Sequence, residues 1–169
     1  MADPTFPCLG ARAAVNLNAY VLFTYDEMAE PATTSELAHH LGEFTGSSLV
    51  RTNEYASFIA VFRGPDSSSE TEFERLLWKQ LQALNEIDAR RSAWSQASSP
   101  NVEDPNFSFS FGGESLYVVG MHPHSSRLAR RFRWPALVFN PHAQFQRLRA
   151  SGHWKRMQNS IRKREVALQ

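Results

Sequence analysis

The sequence predicts a single α+β domain in which helices pack against a small, mostly antiparallel sheet. Short runs rich in aromatic and β-branched residues are separated by segments with helical periodicity. One strictly alternating run ends in a Gly-Gly pair, which is typical of a hairpin. No internal repeat or linker divides the 169 residues, so we expect residues 1–169 to form one domain.

The N-terminal part of the chain is predicted to be mainly helical. Ala-rich sequence after Pro7 predicts a helix that runs towards Tyr20, and the apolar residues 19–25 are expected to continue this helix or to pack against it. A second helix is predicted over residues 33–44, with Thr33 as its N-cap in a capping box.

The middle of the chain contains the clearest strand and the clearest helix. Residues 55–62 are aromatic and β-branched and stop before a Gly-Pro pair, which predicts a strand. Ser69 and Glu72 form a capping box, and apolar residues recur at helical spacing over residues 69–91. We expect this helix to pack on the core and the serine-rich residues 92–106 to form a surface loop.

The C-terminal part begins with a predicted hairpin. Residues 107–111 alternate between Phe and Ser, and Gly112-Gly113 turns the chain into the apolar residues 116–119. Another apolar run predicts a strand over residues 136–139. The sequence after it predicts two helices, over residues 141–149 and 153–169.

Charge is divided unequally along the chain. The first 113 residues carry seven basic and fifteen acidic side chains, and the rest carry eleven basic and two acidic ones, so we expect the two parts to meet at a shared site. The single cysteine excludes an internal disulfide and fits a reducing compartment. Neither a signal peptide nor an apolar run of about eighteen residues is visible, so we expect a cytoplasmic protein without a membrane segment.

The most informative stretch is residues 115–164, which holds eleven of the 18 Lys and Arg, four of the 6 His and no Asp or Glu. Two apolar runs within it each end in a turn that carries histidine, His122 in the first and His142 in the second. An Arg-rich link joins them and contains Arg127, Arg130 and Arg131. Imidazoles at strand ends, with arginines nearby, predict a site for a metal or an anionic cofactor.

Three chemistries fit this stretch. In the first, His122 or His142 ligates haem iron and the propionates pair with basic side chains, namely Arg127, Arg130, Arg131 and Arg147. In the second, His122 and His124 bind a non-haem metal, although the nearest carboxylate in the sequence is Glu114. In the third, the basic residues and interleaved aromatic rings bind nucleic acid, the rings being Phe132, Trp134, Phe139, Phe145 and Trp154. The structural alternative is a solvated basic face over core aromatics.

Three blocks of the sequence match the pattern of a known family. The first is Pro7-Cys8 near the N-terminus. Residues 120–132 read Gly-x-His-Pro-x-x-Ser-Arg-x-x-Arg-Arg-Phe, and residues 139–149 read Phe-Asn-Pro-His-x-Gln-Phe-x-x-Leu-Arg. On these blocks the chain resembles the YqcI/YcgG family over nearly its whole length.

The resemblance implies a cofactor and an activity. Characterised members of that family are haem-dependent oxygenases that N-hydroxylate the guanidino group of arginine-like amino acids. It therefore implies haem b, an arginine-like small-molecule substrate and a redox partner or other reductant. The alternatives are a haem- or nucleic-acid-binding module without enzymatic activity and a mononuclear non-haem metal protein, and nucleic-acid binding is the less favoured of these hypotheses. A guanidinium substrate needs a carboxylate, which we expect from the acidic N-terminal part.

The site predicted under this resemblance centres on His142. We predict that His142 ligates the iron, since the preceding proline and the following helix constrain its backbone. His122 and Asn140 are expected beside it in the cofactor pocket. The alternative iron ligands are His122 and Cys8, the latter as a thiolate near the N-terminus of the first helix. Similar proteins continue beyond the position of Gln169, so we expect a pocket that is open or is completed by a second subunit in a homodimer.

Overall fold

A computed structural model describes residues 6–150, 152, 158–160 and 162–164 of the chain. Helices and strands alternate within them, which confirms the predicted α+β class. Their order is α1 (Leu9–Asn16), β1 (Tyr20–Glu27), α2 (Pro31–Thr45), α3 (Ser48–Thr52), β2 (Ser57–Gly64), α4 (Glu70–Asp88), β3 (Phe109–Phe111), β4 (Glu114–Met121), a 3-10 helix (Leu128–Arg130), β5 (Ala136–Pro141) and α5 (His142–Ala150).

The strands form one five-stranded sheet in the order β1-β2-β5-β4-β3. β1 and β2 run parallel, and α2 and α3 connect them, because parallel neighbours need a crossover. The other three pairs of neighbouring strands are antiparallel, which confirms the predicted mostly antiparallel sheet. β1 and β3 are the two edge strands.

The hydrophobic core lies between one face of the sheet and the helices α2 and α4. Leu41 of α2 and Leu84 of α4 are fully buried in it, as the helical spacing predicts. The central strands contribute three fully buried rings, those of Phe58, Phe62 and Phe139. Burying each side chain of this size contributes roughly 1.5–3 kcal/mol, so this layer is the main source of stability.

Most of residues 19–25 belong to the strand β1, which begins at Tyr20. The prediction that this run continues the first helix is therefore wrong. α1 ends at Asn16, and Asn18 has a φ of 52°, a left-handed conformation that a right-handed helix cannot continue. From Tyr20 onwards the backbone pairs with β2. The aromatic and β-branched side chains of this run therefore follow their preference for a pleated, half-buried surface.

The start of α2 differs from the prediction. The side chain of Glu30 caps the helix by accepting hydrogen bonds from the N–H groups of Ala32 at 3.2 Å and Thr33 at 3.3 Å. Pro31 occupies the first turn, where its missing N–H costs nothing. Thr33, the predicted N-cap, is buried inside the first turn.

The predicted cap and hairpin in the middle of the chain are confirmed. Ser69 precedes α4, and its hydroxyl accepts a hydrogen bond from the N–H of Glu72 at 3.2 Å. The carboxylate of Glu72 turns to Ser68 and completes the cap one residue earlier than the standard box. Gly112 and Gly113 have φ of 60° and 76° and turn β3 into β4.

Two predicted helices follow β5. The first begins at His142, because Pro141 is the last residue of β5. The second, predicted over residues 153–169, lies outside the described residues, apart from helical residues at 158–160 and 162–164.

A glycine on β4 allows α4 to approach the sheet closely. A Cβ atom at Gly120 would lie 2.6 Å from Cε1 of Phe73 and 2.7 Å from Cδ1 of Leu77. Both distances are shorter than carbon atoms in van der Waals contact, at about 3.5–4.0 Å. The absence of a side chain at Gly120 therefore sets the distance between α4 and β4.

We expect Gly120→Ala to lower the free energy of unfolding by about 1–3 kcal/mol, because its methyl group overpacks this contact. Gly46→Ala is the matched control, since the nearest atom to its Cβ is 3.4 Å away and its backbone is already right-handed helical. Urea unfolding of both variants measures the difference. Equal losses would show that the close approach at Gly120 does not constrain α4.

Candidate functional site

The pairing of β4 with β5 places the two histidine-bearing turns at opposite ends of the sheet. Leu116 lies opposite Pro141, and Met121 lies opposite Ala136. The register therefore extends over five residue steps, about 17 Å at about 3.4 Å per residue. His122 follows the end of β4 and His142 follows the end of β5, so the structure does not bring the two predicted site histidines together.

His142 lies at the junction of β5 and α5 and is held by an aromatic pair. Its Nε2 lies 2.9 Å from the hydroxyl oxygen of Tyr117, within hydrogen-bond distance. The two rings meet edge to face at 4.6 Å and 77°. Tyr117 in turn packs edge-on against Phe145 of α5 at 5.0 Å. Tyr117 therefore holds the ring of His142 in its orientation, and Phe145 in turn packs against Tyr117.

The other nitrogen of His142 is buried and has no hydrogen-bond partner among the described residues. Burial, with a smaller effect from Arg149, lowers the pKa of His142 below its ordinary value of 6.5. The imidazole is therefore neutral at neutral pH. A neutral imidazole with a free nitrogen is the form that ligates metals.

Asn140 holds the strands that carry this pair. Its Oδ1 accepts a hydrogen bond from the hydroxyl of Ser57 at 2.8 Å, and its Nδ2 donates to the carbonyl oxygen of Tyr117 at 3.3 Å. The amide thus links β5 to β2 and β4. Asn140, predicted to contact the cofactor, uses its side chain to position β4 and β5 at this end of the sheet.

Arg147 is the predicted cofactor-binding arginine that lies near His142. It is exposed on α5, and its Nη2 donates to the carbonyl oxygen of Asn53 at 3.3 Å. This bond closes α5 against the segment before β2. Its guanidinium still has further N–H donors, because a guanidinium carries five.

His122 is packed into the protein interior. It is 2% exposed, and its ring stacks on Phe73 of α4 at 4.4 Å and 19°. Burial lowers the pKa of His122, while Glu70 opposes this effect and His124 adds to it. Its Nδ1 has no partner among the described residues. A ring enclosed in this way has no free face for a cofactor.

The predicted cofactor arginines of the link surround His122 and not His142. The N–H of His122 donates to the carbonyl oxygen of Arg130 at 3.2 Å, and His122 forms an isolated bridge with Arg131. Arg127, Arg130 and Arg131 are all exposed. These three arginines therefore belong to the end of the β4–β5 pair opposite His142.

This Arg-rich link is fastened to the start of α4. The hydroxyl of Ser126 donates to Glu70 at 3.2 Å, and its N–H donates at 3.4 Å. The first of these bonds lowers the pKa of Glu70 most. Arg131 donates from Nε to the carbonyl oxygen of Ser125 at 2.8 Å, which closes the loop on itself.

The other predicted ligands do not assemble into a metal centre. Glu114 begins β4 and His122 follows its end, so the proposed triad with His124 spans the whole strand. No group of three or more His, Cys, Asp or Glu in the described part of the chain could hold a metal ion. Cys8 caps α1, where its sulfur accepts a hydrogen bond from the N–H of Ala11 at 3.5 Å.

His142 lines neither of two clefts in the described part of the chain, although Tyr117 lines the smaller one. One, of about 690 Å³, lies between α2, the end of α4 and the β3–β4 turn, with Asp88, Glu43 and His39 in its wall. None of the predicted site residues lines it. Asp88 is buried there, and both of its carboxylate oxygens accept the N–H of Gly112. A smaller cleft, of about 210 Å³, lies between α4 and the β3–β4 hairpin.

Comparison with protein families decides the relationship that the sequence blocks suggest. A family model matches residues 1–169. The chain belongs to the YqcI/YcgG family. Comparison with curated proteins and with solved structures gave no match. In this family member, no helix of the described residues is long and apolar enough to cross a membrane.

The family resemblance implies haem, and the two histidines differ in how well their surroundings suit an iron ligand. His142 fits as a ligand, since it is neutral, held in orientation and has a buried nitrogen without a partner. His122 does not fit, because its ring is enclosed against Phe73. Of the arginines predicted for the propionates, Arg147 lies on the same helix as His142.

Tyr117 is the residue that the sequence-based prediction missed. It lies directly opposite Asn140 in the β4–β5 register. The sequence contained one usable signal, an aromatic residue with a polar end within an apolar strand. That signal points to His142 only once the register of the two strands is known.

We expect the free energy of unfolding to fall as the pH is lowered from about 7.5 to about 5.5. Burial lowers the pKa of both His122 and His142 from 6.5, so the unfolded chain takes up protons that the folded protein does not. This contribution to stability is complete above the pKa that the histidines have in the unfolded chain. It is lost as the pH falls towards the lower pKa that they have in the folded protein. Urea unfolding at both pH values measures the loss.

His122→Phe isolates the contribution of His122. The variant keeps a ring on Phe73 and removes one titrating group, so its stability should depend less on pH than that of the wild type. His39→Gln is the control, because it removes an exposed histidine. If His122→Phe has the pH dependence of the wild type, the buried ring does not titrate as expected.

Proposed function

We propose that this protein is a haem-dependent oxygenase that N-hydroxylates a guanidino-bearing amino acid, with His142 as the iron ligand. The observation that carries the proposal is the half-buried imidazole of His142, whose Nδ1 is buried without a hydrogen-bond partner. Membership of the YqcI/YcgG family supports the choice of haem over other metals. The absence of a three-ligand group among the described residues points in the same direction, because haem iron needs only an axial ligand from the protein.

Each residue at the His142 end has a separate task under this proposal. His142 supplies the ligand nitrogen from the rigid junction of β5 and α5, and Tyr117 keeps the imidazole at a constant angle. A partner of this kind orients a metal ligand and increases its basicity. Arg147 supplies positive charge for a propionate. Bound haem would supply the activation of O2, a reaction that amino-acid side chains cannot perform.

The remaining sequence-predicted residues have other tasks. His122 and the arginines of the link hold the opposite end of the sheet together, outside the cofactor site. Asn140 sets the register of the strands that carry Tyr117 and His142. Asp88, the buried carboxylate of the acidic part, already binds the β3–β4 turn, so the carboxylate for a guanidinium substrate comes from another residue. The reaction also requires a redox partner or other reductant to supply electrons.

We expect the purified protein to bind haem stoichiometrically and to give a sharp Soret band with the signature of imidazole ligation. His142→Gly should lose this signature, because it removes the ligand. Added imidazole should restore it by occupying the vacated position. Absorption spectroscopy during a haem titration measures both effects, and circular dichroism confirms that the variant is folded.

The control variants separate His142 from the alternatives. His124→Gly removes an exposed histidine of the same basic stretch and should bind haem as the wild type does. A thiolate-type spectrum that Cys8→Ser abolishes would overturn the histidine assignment. Tightly bound iron or zinc without haem would contradict the cofactor. Oligonucleotide binding that weakens steeply with salt, and that haem does not compete with, would favour the nucleic-acid hypothesis.

We expect Tyr117→Phe to weaken haem affinity about 10- to 100-fold, the usual cost of removing a hydrogen-bond partner of a ligand. The aromatic packing on Phe145 remains in this variant, so the change tests the hydroxyl alone. Tyr55→Phe, at another half-buried tyrosine, is the matched control. Haem titration monitored at the Soret band gives both affinities. Equal affinity of the two variants would exclude a positioning role for Tyr117.

A further inference from the structure

Within the described residues, no strand pairs with the outer edge of β1. β1 is a terminal strand of the sheet, and its partner there is β2. The N–H of Ser57 donates to the carbonyl oxygen of Ala19, which shows which backbone groups of this run face β2. Because successive residues of a strand alternate in direction, the N–H and C=O groups of Tyr20, Leu22 and Thr24 face outwards.

This edge lacks the usual protection against pairing. Residues 20–24 contain no charge, no proline and no bulge, the devices by which natural edge strands avoid one another. Eight residues make it as long as any strand of the sheet, whereas β3 at the opposite edge has three. An edge of this length and composition is a template for another strand.

Exposed apolar side chains occur on β1 and just before it in the sequence. Leu22 is 50% exposed, and Val15 and Leu17, just before the strand, are 39% and 58% exposed. These three are half of the large apolar side chains exposed in the described part of the chain. An exposed apolar side chain on an edge strand favours pairing with another strand.

We propose that β1 pairs with β1 of a second copy of this chain, antiparallel and centred on Leu22. In this register Leu22 lies opposite Leu22, and Tyr20 lies opposite Thr24. The three residue pairs exchange about six backbone hydrogen bonds, two for each pair. The result is a symmetric dimer with a continuous ten-stranded sheet, twice the five strands of one copy.

The chemistry of the strand selects this occupant and this register. The acidic side chains of β1, Asp26 and Glu27, lie at its C-terminal end. An antiparallel pair centred on Leu22 places the two acidic ends far apart, whereas a parallel pair would place them side by side. A register centred on Asp26 would oppose two carboxylates, which is destabilising. Pairing with itself also buries both copies of the exposed Leu22 in a single contact.

The oligomeric state tests the proposal on the apoprotein, so the outcome does not depend on haem or on the proposed activity. We expect sedimentation equilibrium to give the dimer mass for the wild type. Leu22→Lys should weaken dimerisation at least about 10-fold, because it introduces two facing charges at the centre of the interface. Val102→Lys is the matched control, since Val102 is 57% exposed in the loop far from β1 in sequence.

A second variant acts on the backbone. Thr24→Pro removes an outward N–H that makes no bond to β2, and proline is tolerated on the open side of an edge strand. This variant should be folded by circular dichroism and monomeric. A monomeric wild type would overturn the proposal and leave the edge to a different partner. A dimer that persists in both Leu22→Lys and Thr24→Pro would also overturn it.

Cysteine cross-linking tests the register in a Cys8→Ser background, which removes the native thiol. Leu22→Cys should form a disulfide between copies under mild oxidation, because facing residues of a hydrogen-bonded pair have Cα atoms about 5.5 Å apart, within disulfide range. Asp26→Cys is the control and should not cross-link, since the two positions lie far apart along the ladder. Cross-linking at Asp26→Cys but not at Leu22→Cys would overturn the register.

Discussion

The antiparallel pairing of β4 and β5 is the interaction on which the arrangement of this protein depends. In its register Asn140 lies opposite Tyr117, and Tyr117 therefore lies within hydrogen-bond distance of His142, two residues after Asn140. The same register sends His122 to the opposite end of the sheet. The basic C-terminal stretch is therefore divided into two regions, although it is continuous in sequence. One region contains an imidazole whose buried Nδ1 has no partner among the described residues, and the other fastens a loop to α4.

Burial affects His122 and His142 in the same way. It lowers the pKa of both rings, and the Nδ1 of each has no hydrogen-bond partner among the described residues. They differ in what surrounds them. Phe73 of α4 covers the ring of His122, and α4 can come so close because Gly120 has no side chain. His142 instead meets the edge of Tyr117 at the start of a helix and remains half-buried.

The sheet is finished differently at its two edges. β3 is short, and its side chains are all buried. The preceding loop contacts this strand, where the N–H of Ser95 donates a hydrogen bond to the hydroxyl of Ser110. β1 is long and leaves Leu22 half exposed. The loop before β3 thus protects one edge of the sheet, while the described residues leave the backbone of the other available. The same sheet positions His142 at one strand end and has β1 as a long edge strand.

Much of the fold follows from patterns that act over a few residues. The cap at Ser69, the Gly112-Gly113 turn and the apolar face of α4 were all predictable, because each depends on neighbours within one or two turns. Residues 19–25 were not, since their state depends on pairing with β2, whose first residue, Ser57, lies well beyond the next two helices. Local propensity could not choose between a helix and a strand there.

The same distinction applies to the candidate site. The sequence by itself determined the family, the basic stretch and its histidine-bearing turns, because these depend on residue identity and spacing. Only the tertiary structure decided that Tyr117 orients His142, that Asn140 serves the register and that His122 belongs to the core. The physical reason is strand direction. Two adjacent antiparallel strands have their C-terminal ends at opposite ends of the pair, so residues that follow the two strands are separated in space.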